Sequence, residues 1–152
     1  MALTHAMHDM RNDMRDEMHD LAHIAEVDGA RQGYLAMWGT FMLLPLVYGL
    51  DKFAGFMNVA WGDFLASWVH DVLPGTDNTE LYTLGVIELA IVALVFFMPR
   101  VGGDVAAVYL VLFAINFFAM DGMALFGIGS LALAFCALAM ARMSTTWHHH
   151  DG

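Results

Sequence analysis

Cysteine and basic side chains are nearly missing from this chain, and charge of either sign is sparse. The one cysteine, Cys136, lies in the apolar run LALAFCALAM. A single thiol excludes intramolecular disulfides, CxxC redox motifs and cysteine-based zinc sites, and in that setting it reads as a small packed residue. Only 6 Lys and Arg stand against 16 Asp and Glu, for a formal net charge of −10. This argues against nucleic acid as a partner, because phosphate binding needs clustered cations. Charged residues are 14% of the chain, against about a quarter in an ordinary soluble domain. There is no HExxH pair, no glycine-rich phosphate loop and no Ser–His–Asp spacing, so no catalytic residue is assigned. Nothing ahead of the first apolar run has the form of a secretory leader.

Apolar side chains are abundant instead, at 59% of 152 residues. A soluble domain of this size exposes too much surface to hide them all, so lipid is the better solvent. Four runs are long enough to cross a bilayer, at residues 34–50, 81–98, 104–120 and 123–140. Pro45 falls inside the first and is expected to kink it. The expected fold is all-α: an integral membrane four-helix bundle (residues 31–143), preceded by an amphipathic helix (1–30) and followed by a His-containing tail (144–152). Thr4 is positioned to cap the first helix, which is expected to run through Glu26 and end at Gly29 and Gly33. Between spans one and two, Trp61, Leu65, Trp68 and Val72 recur at helical spacing, which predicts a short interfacial helix. PGTDNTE reads as a loop and helix cap, PRVGG as a tight turn, and Asp121-Gly122 as the break before span four. Of the basic residues, all but Lys52 fall on the side that carries the termini. The positive-inside rule therefore puts both termini in the cytoplasm of a multi-pass cell-membrane protein.

A charge inside the hydrocarbon layer costs a few kcal/mol, so each one needs a partner or a purpose. Asp51, Lys52, Glu88, Asn116 and Asp121 all fall in the half of the bundle away from the termini, with Lys52 in reach of Glu88. The cluster reads either as a clasp between helices or as a polar pocket for a small molecule, quinone headgroup or proton. His70, alone in the connection, reads as an interfacial residue.

The first helix has sorted faces. His5, His8, His19 and His23 share an arc of about 60°, and Met7, Met10, Met14, Met18 and Leu21 share one of about 80° opposite. The Met stripe suits an adaptable interface with the bundle, a partner subunit or the membrane surface. The acidic flank favours a protein partner over anionic lipid. His19 and His23, spaced i, i+4, with His5, His8 and the tail residues His148, His149 and His150, compose a candidate transition-metal set. Thioether and imidazole together point to copper. One helix cannot turn both faces to one ion, so that reading needs ligands from elsewhere.

GLDKF at 49–53, the Trp-containing loop ending in LPG, GVIE at 85–88, PRVGG at 99–103, and the Asn, Asp-Gly and FGIGSLALA elements that follow resemble the DoxX-like family of small four-span prokaryotic membrane proteins. The resemblance covers about residues 34–142. It implies a four-helix bundle, an association with redox membranes that in some members involves thiosulfate and quinone, and polar family positions at Lys52, Glu88, Asn116 and Asp121. The Met/His helix lies outside it. The leading expectation is an accessory subunit of a larger, redox membrane complex, docked through the Met stripe. The alternatives are a copper-handling membrane protein and a quinone or small-molecule site.

Overall fold

The computed structural model describes residues 2–73 and 75–147, the side chains of residues 2–6, 9, 13, 77 and 147 excepted. Six α-helices and one short 3-10 turn make up the fold, and no strand occurs among the described residues. Helix α1 spans Ala2–Ala22 and α2 Gly29–Ala54; the 3-10 turn Trp61–Phe64 and helix α3 (Ser67–Val72) lie in the connection that follows. Helices α4 (Asp77–Phe97), α5 (Pro99–Phe118) and α6 (Ala124–Trp147) complete the bundle. Helices α2, α4, α5 and α6 each contain a stretch long and apolar enough to cross a membrane. This is an all-α, multi-pass membrane protein. Four crossings put the termini and the α4–α5 turn at one end, and the α2–α4 connection and the α5–α6 turn at the other.

Large apolar side chains point outward along the spans. Val86, Val108, Leu125, Ile128 and Phe135 are all exposed, as a lipid-facing surface requires. Burial between spans is left to small residues, because lipid supplies no hydrophobic drive to push helices together and close packing must hold them. Gly103, Ala106, Ala107 and Ala114 of α5 are buried, as are Ala134, Ala137 and Ala141 of α6. A Cβ on Gly103 would sit 2.8 Å from both the Ala137 carbonyl oxygen and the Ala141 methyl. The larger core residues Tyr34, Leu35, Trp38 and Phe41 of α2 meet Ile91 and Val95 of α4 toward the termini. There the Trp38 indole donates to the Val95 carbonyl at 3.0 Å.

Several elements differ from the expectation. Helix α1 stops at Ala22, and α2 begins at Gly29, capped by Asp28, whose carboxylate accepts from the Ala30 and Arg31 amides. Thr4 lies inside α1 and Gly33 inside α2. The cap at Asp28 outcompetes the glycine punctuation, because it satisfies two otherwise unpaired donors. Helix α2, which includes Pro45, extends past the expected end of the first span to Ala54 and is capped by Gly55 at φ 64°. PRVGG is not a loop. Met98 alone separates α4 from α5, and Pro99 opens α5, where a missing N–H costs nothing. The expected interfacial helix is broken between Phe64 and Ser67, which turns Val72 outward while Val69 is buried. Residues 144–147 belong to α6 rather than to a tail.

Candidate functional site

At the connection end, α2 and α4 approach closely because both are glycine there. A Cβ on Gly49 would lie 3.2 Å from the Gly85 carbonyl oxygen and 3.3 Å from the Glu88 Cβ. A Cβ on Gly85 would strike the Phe53 ring, which stacks on Tyr82 at 5.3 Å. Across this seam Lys52 Nζ reaches back to Glu88, at 2.7 Å from Oε2 and 2.9 Å from Oε1. Their side chains are 3% and 6% exposed. The Tyr109 hydroxyl of α5 donates to Glu88 Oε1 at 2.8 Å. The Trp61 ring covers the ammonium, 4.1 Å from its centroid. Each charge therefore has a partner of opposite sign plus further polar or π contacts, which is what makes a buried ion pair tolerable.

Asp51 and Asn116 have a different task. Asp51, 1% exposed, accepts from the Met57 amide and the Trp61 indole, both at 2.6 Å. Asn116 accepts from the Ala66 amide at 2.8 Å and donates to the Phe64 carbonyl at 2.7 Å. Together they tie down the irregular backbone between α2 and α3, which cannot satisfy itself. Asp51 also sets the Trp61 ring over Lys52. Thus Asp51, Lys52, Glu88 and Asn116 converge around one connection, whereas Asp121 sits exposed on the α5–α6 turn, away from this network. The turn carries Asp121 outward because Gly122 follows at φ 78°, which reverses the chain.

Beside the pair lies a cavity of about 390 Å³, with Lys52, Glu88 and Tyr109 on its wall among Trp61, Phe64 and Phe113. The lining is otherwise apolar, apart from Tyr48 and Ser130. Four contributors are not among the expected site residues. Tyr109 completes the ion pair, Trp61 covers it, and Gly49 with Gly85 lets the two helices close. A tyrosine in mid-span carried the signal, since a hydroxyl in lipid requires a partner. His70 is not alone either: its Nδ1 is 2.6 Å from Glu80 Oε2, and Glu80 is only 2% exposed. This pair fastens α3 to the first turn of α4.

At the opposite end, α1 is held against the bundle. Glu17 is fully buried and accepts from the Tyr34 hydroxyl at 2.6 Å, and Arg31 Nε donates to Asp20 at 2.8 Å. The inward face is therefore rotated from the centre of the Met stripe toward the acidic flank. Met10, Met14 and Leu21 are half-buried, with Leu21 packed on the core, while Met7 and Met18 are exposed. On the other face the His19 and His23 rings stack at 4.6 Å, and His23 Nδ1 lies 3.1 Å from the His19 carbonyl oxygen. His8 contacts Asn12. Among the described residues, no three His, Cys, Asp or Glu side chains are grouped to hold a metal ion. The His5 side chain and His148, His149 and His150 lie outside the described part. No family model, curated protein or solved structure matches this chain.

Proposed function

We propose that this is a DoxX-like protein that binds a quinone-type small molecule at the connection end of its bundle and serves beside a larger redox membrane complex. The observation that carries this reading is the buried Lys52–Glu88–Tyr109 group on the wall of an aromatic-lined cavity. Apolar enclosures with a few convergent polar groups are the common form of small-molecule sites. Lys52 brings N–H donors suited to a ring carbonyl, and Glu88 and the Tyr109 oxygen, whose own proton goes to Glu88, bring acceptors suited to a ring hydroxyl. The cavity is walled by residues of all four spans, which suits a lipophilic ligand. The Lys and Arg bias orients this site away from the cytoplasm.

The test separates binding from packing. The double variant K52M/E88M replaces the ion pair with apolar chains of similar length, a change that is often neutral for stability. Such a protein is expected to remain folded and to lose affinity for decylbenzoquinone at least tenfold by calorimetry in nanodiscs. Wild-type affinity in a folded double variant would sink the reading and leave a mechanical clasp.

An accessory role is supported separately by Met7 and Met18, exposed at 60% and 53% on a helix already anchored by other side chains. Copper handling has less support. The stacked His19–His23 pair offers two imidazoles, and such sites need at least one more ligand.

A further inference from the structure

The inward stripe of α6 is built from small residues, and serine interrupts the alanines. Ser130, Ala134, Ala137, Ala141 and Ser144 recur at helical spacing and are all buried. In lipid a serine or threonine hydroxyl has no water to bond, so it commonly returns to a carbonyl one turn back in its own helix. Ser144 does so, donating to the Ala141 carbonyl at 2.8 Å. Thr40 and Thr83 of other spans do the same, to the carbonyls of Ala36 and Thr79. Ser130 does not. It is 8% exposed, and its hydroxyl has no hydrogen-bond partner among the described residues.

Ser130 lines the cavity beside the ion pair. Packing has not sealed its oxygen off, so the hydroxyl opens onto the cavity that the α6 stripe faces. The other polar groups of the lining are placed differently. Lys52, Glu88 and Tyr109 hold one another, and Tyr48 is an exposed residue of the helix surface. Helix α6 supplies no member of the Lys52–Glu88–Tyr109 group, so the serine is a second polar point on a different wall. Leaving a buried hydroxyl unpaired costs about 1–3 kcal/mol. Alanine, which fills much of the stripe, would pack there without that cost, so the position calls for an explanation.

We infer that Ser130 is a specificity-determining residue of the cavity, donating its hydroxyl to a second polar substituent of the bound ligand. The ligand class this selects is a lipophilic ring with acceptor oxygens at two positions, such as a dione. One oxygen takes an N–H from Lys52, and the other takes the O–H of Ser130. A ring with a single polar group leaves the serine unpaired and gains nothing from it. Ordered water in the cavity can meet the same hydroxyl, so the experiment must tell water from ligand.

The inference rests on the small-molecule reading of the cavity. Affinities of decylbenzoquinone and of decylphenol, which carries a single oxygen, are measured for wild type and Ser130→Ala. Nanodiscs of ether-linked phospholipid are used, so that no ester carbonyl competes for the hydroxyl. The expected result is an about three- to tenfold loss of quinone affinity in Ser130→Ala, the size of one hydrogen bond, with decylphenol affinity unchanged. Infrared spectra of the bound quinone are expected to show one carbonyl band that moves toward its free position in the variant. Equal quinone affinity in variant and wild type, or an unmoved carbonyl band, overturns the role of Ser130 and leaves the cavity reading intact. A parallel loss for both compounds makes Ser130 a packing residue and overturns the inference as well. Wild-type protein that binds neither compound overturns both readings.

Discussion

Lys52 and Glu88 put two charges where the bilayer disfavours them, and the surrounding residues decide what each is worth. Tyr109 contributes a single hydrogen bond between spans, of a kind that averages about 0.6 kcal/mol in a membrane. Lys52 neutralises a buried carboxylate, and removing one partner of such a pair costs about 3–5 kcal/mol. Lys52→Met is thus expected to destabilise the bundle several times more than Tyr109→Phe, with K52M/E88M recovering most of the loss. Equilibrium unfolding in mixed detergent micelles measures all three. Equal effects of the two single variants would mean that the ammonium is not what stabilises Glu88. The pairing of Lys52 with Glu88 was legible in the sequence from span direction and side-chain reach. The Tyr109 hydroxyl in mid-span signalled that a partner was needed, but no local pattern said that the partner was Glu88 of another span.

Helix ends and helix seams show which elements the fold depends on. A Cβ on Gly102 would overlap the backbone of Leu94 and Val95. Backbone cannot swing aside as a side chain can, so the one-residue link between α4 and α5 would have to open. Gly102→Ala is expected to cost at least the 1–3 kcal/mol typical of overpacking. Gly39, with nothing within 4 Å of an added Cβ, is the control: Gly39→Ala is expected to be neutral or to stabilise α2 by about 0.5–1 kcal/mol. Thermal unfolding of the two variants compares them directly, and a Gly102→Ala protein as stable as wild type would remove the close approach from the account. The PRVGG segment reads as a turn because proline and paired glycines usually mark one. Here the proline opens a helix and the glycine admits a neighbouring helix.

At the scale of the whole molecule, the protein is a small-residue bundle with a polar site at one end and a docked helix at the other. Helix α1 contacts α2 and α4, but among its described apolar side chains only Leu21 packs around the core. Deleting residues 1–22 is therefore expected to leave four spans folded, with unchanged helicity per span by circular dichroism. It is also expected to abolish co-purification of any partner subunit from native membranes. Retention of the same partner by the truncated protein would assign docking to the lipid-facing surface instead. The side chains that hold α1 in place, Glu17 and Tyr34, were not legible as a pair. On a helical wheel Glu17 belongs to the acidic flank, and burying a carboxylate becomes acceptable only when a particular hydroxyl is brought to meet it.

The amino-acid sequence by itself determined that the chain crosses a membrane four times. Run length and the absence of charge act locally: about 20 apolar residues cover the hydrocarbon layer whatever they later touch. It also determined that Asp51, Lys52, Glu88 and Asn116 would share one end, since alternating span direction alone places them there. Only the tertiary structure decided what those residues do. Gly49 and Gly85 set the α2–α4 distance that lets Lys52 meet Glu88, and Asp51 and Asn116 hold a broken connection in place. The fold also leaves Asp121 outside and opens a cavity against Tyr109 and Trp61. Such outcomes depend on which side chains from distant spans arrive within about 3 Å of each other, a condition that no local pattern of hydropathy encodes.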